Sequence, residues 1–252
     1  LLLERQIPHE WEVRSGGHDF TCWNTALPKA FRFINEYFNG KRSGNSESSL
    51  PNETPFIQTA NATVYYPEQA QGSTRKYPII YVQGEINEQQ QKVLVSQFHQ
   101  MVDENKTWPA VLCFVKANTD LSETISDIEK QLSGIRGSQR MRALITLGDN
   151  IKEGIEAIQG ENLFTGIVCV NAIGNENDAQ NLIKAVNSYK RYPRCWIEIL
   201  PESKEYGFSS NIHILLKESD LEHEFRSRKC KEANVFTYWE DWILYLNNRI
   251  HV

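Results

Sequence analysis

Gly16-Gly17-His18-Asp19 puts a histidine on a glycine loop between a strand-like stretch and a helix-like one, residues 24–34. An imidazole just beyond a strand end can reach a site at the top of a sheet, and its near-neutral pKa suits general-base work. An exposed histidine on a tight turn fits the same spacing equally well. His99, His213, His223 and His251 show no HxxxH-type pairing and no neighbouring cysteine, so their spacing points to no metal. Cys22, Cys113, Cys169, Cys195 and Cys230 are scattered without CxxC spacing, three of them inside apolar strand-like runs. They read as buried free thiols rather than a disulfide framework or a zinc site. No cofactor is implied. Sequons at Asn52, Asn61 and Asn105 leave the compartment open, periplasmic, secreted or cytoplasmic.

The elements that must position such groups follow from the apolar pattern. Strand-like runs fall at 62–66, 79–82, 110–115, 143–147, 166–171, 195–200 and 223–228. Several are continuously apolar or β-branched, as expected of strands covered on both faces. Helix-like stretches lie between them at 87–104, 120–133, 150–159, 178–190 and 210–219, with a last one at 236–249. In the first of these, Leu94, Phe98, Met101 and Val102 recur at helical spacing and mark one face. Trp239 and Trp242, spaced with Ile243 and Leu246, read as core. This alternation predicts an α/β fold, a mostly parallel sheet with helices on both faces.

The 252 residues carry a net charge of −5 and a pI near 5.8, which argues against a general nucleic-acid binder. No apolar run approaches the ~20 residues needed to cross a bilayer, so no membrane role is expected. The sequence opens LLLERQIPHEW without a methionine, and the expectation is a start inside a longer protein. Residues 39–55, NGKRSGNSESSLPNETP, contain almost nothing apolar and read as a linker.

The segments on either side of that linker share a pattern. LLLERQIPHEWEVR at the start aligns with LLKESDLEHEFRSR from residue 215, so that His9-Glu10-Trp11 falls on His223-Glu224-Phe225. Phe20-Thr21-x-Trp23 then falls on Phe236-Thr237-x-Trp239, with two extra residues in the second loop. A strand, a loop motif and a helix match together, which predicts an internal repeat. Residues 1–38 are then the strand–loop–helix tail of a first copy, 39–56 a linker, and 57–252 a whole second copy. A strand cut from its own sheet has a free edge, and 1–38 is expected to pair with another chain or sit swapped.

GGHDFTCW followed by an amphipathic helix resembles the end of the esterase D and enterochelin-esterase branch of the α/β-hydrolases, where this loop carries the triad histidine. The second copy resembles the same family over nearly its full length. Residues 61–66 and Lys76-Tyr77-Pro78-Ile79-Ile80-Tyr81-Val82-Gln83-Gly84 are similar to its opening strand and oxyanion-loop strand. Arg142-Ala143-Leu144-Ile145-Thr146-Leu147-Gly148-Asp149-Asn150 is similar to the strand entering its nucleophile elbow. Residues 196–200 and 223–239 are similar to the strand before the acid and to the histidine loop.

The departures from that family carry the functional expectation. The elbow needs G-x-S-x-G, a strained turn exposing the serine, and no such pattern occurs in the chain. By the resemblance the serine position falls on Gly148 and the flanking glycines on Thr146 and Asn150. The histidine falls on Asn234, the acid near Glu202-Ser203, and the oxyanion His-Gly has become Gln83-Gly84. Asp149, beside the elbow, reads as a polar loop residue rather than a replacement nucleophile. With nucleophile and base both replaced, the leading expectation is a non-catalytic, pseudo-esterase module of a larger esterase. Its partners would be an upstream esterase domain or a second copy of itself, and the parent's substrates would be carboxylic or carbohydrate esters. A second expectation is an active ester hydrolase, with His18 as triad base and the serine supplied upstream of residue 1. A third is a carbohydrate- or partner-binding module with aromatic side chains lining the cleft near Gly148.

Overall fold

The computed structural model describes residues 10–13, 27, 30–31, 56–67, 77–104, 106–132, 142–159, 164–188, 194–200, 206–228 and 235–250. The strands are β1 (Glu10–Val13), β2 (Phe56–Gln58), β3 (Ala62–Tyr65), β4 (Ile79–Gln83), β5 (Val111–Val115), β6 (Arg142–Leu147), β7 (Gly166–Val170), β8 (Arg194–Ile199) and β9 (His223–Arg228). They form one sheet in the order β1-β9-β8-β7-β6-β4-β5-β3-β2. From β5 to β9 the neighbours run parallel; β3 lies antiparallel on β5, β2 on β3, and β1 on β9. The helices are α1 (Glu88–Asp103), α2 (Leu121–Gln131), α3 (Ile151–Gln159), α4 (Glu176–Asn187), α5 (Tyr206–Glu218) and α6 (Trp239–Ile250).

Every residue of β4, β5, β6 and β7 is buried, which is why these strands read as continuous apolar runs. Alternate residues feed two separate cores. Ile80, Val82, Ile145 and Val168 pack with Leu94, Phe98 and Met101 of α1 and with Trp239, Trp242 and Leu246 of α6. Ile79, Tyr81, Leu144 and Ile167 pack with α2 to α5, through residues such as Ile125, Ile155, Leu182 and Ile212. Helices therefore cover both faces, and Trp239 and Trp242 are core residues as expected.

Local chemistry sets where the helices begin. Asn87 and Asn175 each form a capping box, with Gln90 and Asp178 respectively, so α4 starts at Glu176, two residues before the sequence pattern suggested. Asp120 caps α2 by accepting from the Glu123 N–H at 3.0 Å. α5 begins at Tyr206 rather than 210, with Gly207 in its first turn masking the start of the helical pattern. Phe56, placed at the end of the expected linker, is instead the first residue of β2, a three-residue strand too short to leave an alternation signal. The strand expected to seek another chain is seated at home: β1 pairs with β9 of its own chain. The expected linker, residues 39–55, lies outside the described residues.

Candidate functional site

The parallel strands end at a common edge, and β4 and β6, side by side, bring two of the sequence-predicted positions together there. Gln83, the last residue of β4, is directly opposite Thr146 of β6. Gly84 follows, with its N–H donating to the Val115 carbonyl at 3.3 Å. A Cβ at Gly84 would stand 2.8 Å from the Leu147 Cβ, so only a glycine lets the turn after β4 run this close to the end of β6. Gln83 is fully buried, and its Nε2 donates to the Thr119 carbonyl at 3.0 Å, bracing the loop between β5 and α2.

After β6 the chain turns through a short 3₁₀ segment, Gly148–Asn150, straight into α3. This strand–turn–helix is the architecture that holds a nucleophile above a sheet. Gly148 sits at φ +64°, the left-handed conformation that disfavours any side chain except where structure enforces it. A side chain added at Gly148 would meet no heavy atom within 4 Å. The turn thus has open space above its apex, and Gly148 there carries no side chain.

The turn is fixed by Asn150, which is 3% exposed. Its Nδ2 donates to the Leu147 carbonyl at 2.8 Å, and its Oδ1 accepts from the Asn118 N–H at 3.1 Å. Asn118 itself has φ +56°, so a strained loop is tied to the elbow by one amide. From the other side the Ile173 N–H donates to the Gly148 carbonyl at 3.0 Å. Asn171, at φ +48°, accepts from the Leu200 N–H at 2.8 Å and fixes the ends of β7 and β8 to each other. Polar side chains at this edge therefore hold backbone to backbone.

Asp149 lies within this turn and is exposed. Cys169, on β7, is buried, and burial pushes its thiol up to about 12 against the opposing effect of Thr146. Burial raises Cys113 and Cys195 as well, so these are the inert thiols the sequence suggested. No group of three or more His, Cys, Asp or Glu that could hold a metal ion occurs among the described residues. His18, Glu202, Ser203 and Asn234 lie outside the described residues.

No family profile matches the sequence, and no curated protein matches it. Solved structures do. A ferulic acid esterase superposes with a TM-score of 0.59 at 13% identity, covering 74% of this chain and 91% of that one. The CE1 ferulic acid esterase AmCE1/Fae1A of Anaeromyces mucronatus, in complex with ferulic acid, gives 0.59 at 11% identity over 84% and 97% of the two chains. FphF, a fluorophosphonate-binding serine hydrolase of Staphylococcus aureus, gives 0.55 at 13% identity over 78% and 96%. This is an α/β-hydrolase fold. In serine hydrolases of that fold, the nucleophile is carried on a strand–turn–helix of this kind.

Two further clusters were not revealed by sequence spacing. His213 on α5 and His223 on β9 are ten residues apart, yet their Nδ1 and Nε2 atoms approach to 2.7 Å. His223 Nδ1 lies 2.8 Å from the Leu221 carbonyl, which makes it the donor there and leaves Nε2 to accept from His213. The His213 ring also stacks on Phe225 at 4.4 Å. Burial lowers both pKa values; His223 and Lys217 lower His213 further, and the Leu221 carbonyl opposes the shift in His223. A histidine held neutral in the fold contributes stability in full above its unfolded value of ~6.5, and loses it as pH falls from there through the folded value. Thermal denaturation at pH 7.5 and 5.5 is expected to show a larger drop in Tm for the native chain than for a His213→Gln/His223→Gln variant. Equal drops would mean that the pair does not set the acid response.

The second cluster lies between β8, β9 and α6. Glu198 is fully buried, and its Oε2 accepts from Trp196 Nε1 at 2.7 Å and Trp242 Nε1 at 2.9 Å. Its Oε1 pairs with Arg228 Nε at 2.7 Å. Arg228 and Arg226 both reach Asp241 Oδ2, at 2.8 Å and 3.3 Å, and Arg226 also pairs with Glu224 at 3.1 Å. Charged residues of β8 and β9 that look solvent-facing in sequence are thus an interior network.

Proposed function

We propose that this chain is a non-catalytic hydrolase-fold module, a pseudo-esterase that serves as a structural partner to an esterase unit. One observation carries the reading. The elbow after β6 keeps its turn, its positive φ and the free space above it, and the residue at its apex is Gly148. A serine hydrolase needs a nucleophile at that apex and a base within reach, and removing either leaves only residual catalysis. Asn150 supports the same reading, because its side chain fixes the turn where a hydrolase has a glycine. The esters of the parent protein would be carboxylic or carbohydrate esters, in keeping with the feruloyl esterases that share the fold.

The test is labelling of the purified chain by a fluorophosphonate probe together with hydrolysis of p-nitrophenyl acetate, beside a His18→Ala variant. Neither labelling nor turnover above the buffer rate is expected in either protein. Activity lost on His18→Ala would mean that a nucleophile works with that histidine, and the reading would fall.

A further inference from the structure

We propose that His213 and His223 form a two-histidine site for a divalent transition metal ion of the zinc, nickel or copper type, which clamps α5 to β9. His213 Nδ1 and His223 Nε2 come from different elements and converge on one point, 2.7 Å from each other. His223 Nδ1 lies 2.8 Å from the Leu221 carbonyl and donates its N–H there. That bond fixes the tautomer and aims the Nε2 lone pair at His213, which is the outer support that metal-ligating histidines have. Metals bind neutral imidazole, and burial holds both rings toward that form. Two nitrogens on one tetrahedral ion, at about 2.0–2.1 Å each, stand roughly 3.3 Å apart. The rings must therefore part by roughly 0.6 Å from their observed spacing. The His213 ring stacks on Phe225 at 4.4 Å and can slide across that face while keeping the contact. On binding, the His213 proton moves from Nδ1 to Nε2 of the same ring, so that both facing lone pairs meet the ion.

Donor type and surroundings set the class of ion. Imidazole suits zinc, nickel and copper, whereas calcium and magnesium want oxygen donors. Among the described residues no third His, Cys, Asp or Glu completes the set, so water fills the remaining positions and the affinity is modest. His213 is half-buried rather than sealed, which leaves an ion a way in. Glu218, Asp220 and Glu222 are exposed around the turn from α5 to β9. Against them stand exposed Lys217 and Arg194, which pairs with Glu222 at 2.8 Å, so the local balance is negative and draws cations. An ion held between a helix and a strand stabilises the fold, because the unfolded chain does not keep the two rings together.

The test titrates Zn²⁺ into the whole 252-residue chain, untagged and stripped with EDTA, with binding read by calorimetry and by thermal denaturation. A saturable site and a rise in Tm are expected. His213→Gln and His223→Gln should each weaken that site by more than about tenfold, since even an outer partner of a ligand is worth that much. His99→Gln, at a histidine that pairs with Asp103 on α1, should leave it unchanged. No zinc binding by the native chain, or binding that both glutamine variants keep, would overturn the proposal and leave the pair as an imidazole hydrogen bond only. Should either variant fold poorly, ring ¹⁵N spectra of the native chain decide. Zn²⁺ is expected to shift His213 Nδ1 and His223 Nε2, and unshifted resonances from these two rings would equally overturn the site.

Discussion

Replacing Glu198 by alanine is expected to cost about 3–5 kcal/mol of folding stability, because it strands buried arginine charge. The carboxylate is the hub of the interior network: both of its oxygens are engaged, by Trp196 and Trp242 on one and by Arg228 on the other. Burial pushes its pKa up, against the pull of Arg228, Trp242, Arg226 and Trp196 in the other direction. Without it, Arg228 retains Asp241, which is already shared with Arg226. Glu198→Gln separates shape from charge. The amide oxygen can still accept from the indoles, but its NH₂ faces a guanidinium, and a cost of roughly 2 kcal/mol is expected from losing a hydrogen bond to a charged group. Urea denaturation monitored by tryptophan fluorescence checks both variants. A loss below about 1 kcal/mol for Glu198→Ala would mean that water reaches the arginines and that the cluster is not a sealed network.

Much of the fold was open to sequence reasoning for a physical reason. A strand covered on both faces must be apolar throughout, so VLCFV and GIVCV announce themselves, and the helices between them leave a mostly parallel sheet as the economical arrangement. β2 escaped because three residues cannot show alternation, and the start of α4 moved because a capping box overrides the apolar pattern. At the site, the resemblance alone placed the family's serine position on Gly148, and the structure puts a tight turn with positive φ there. The role of Asn150 was not legible, because its partner Asn118 is 32 residues away and nothing in either neighbourhood signals the contact. The same holds for His213 and His223, which meet only because α5 turns back into β9. The repeat identified β1 as a strand, but the side on which it pairs, and in which register, depends on the tertiary edge it meets.

Trp242→Ala is expected to cost a further 3–5 kcal/mol range on its own, the loss typical of a large aromatic removed from a core. Trp242 is fully buried on α6, packed edge-on against Trp239 at 6.5 Å, and donates to Glu198 at 2.9 Å. One side chain thus closes the core beneath β6 and β7 and satisfies the buried carboxylate of β8. Trp242→Phe keeps part of the apolar contact while deleting the N–H, so its cost combines the hydrogen bond, at about 1.5–3 kcal/mol, with the cavity left by the smaller ring. If the phenylalanine variant matched the alanine one, the N–H and the outer part of the indole would account for the whole effect; if it matched the native chain, neither would contribute. β7 has no slack with which to compensate by moving inward, since a Cβ at Gly166 would already lie 2.8 Å from Leu246 of α6. Trp242→Ala should therefore lower the Tm well below that of Gly148→Ala, which meets no neighbouring atom and costs only ~1–2 kcal/mol of backbone strain. Thermal denaturation of the two variants beside the native chain checks the order, and a Tm for Gly148→Ala as low as that of Trp242→Ala would mean that the turn after β6, not the indole, limits stability.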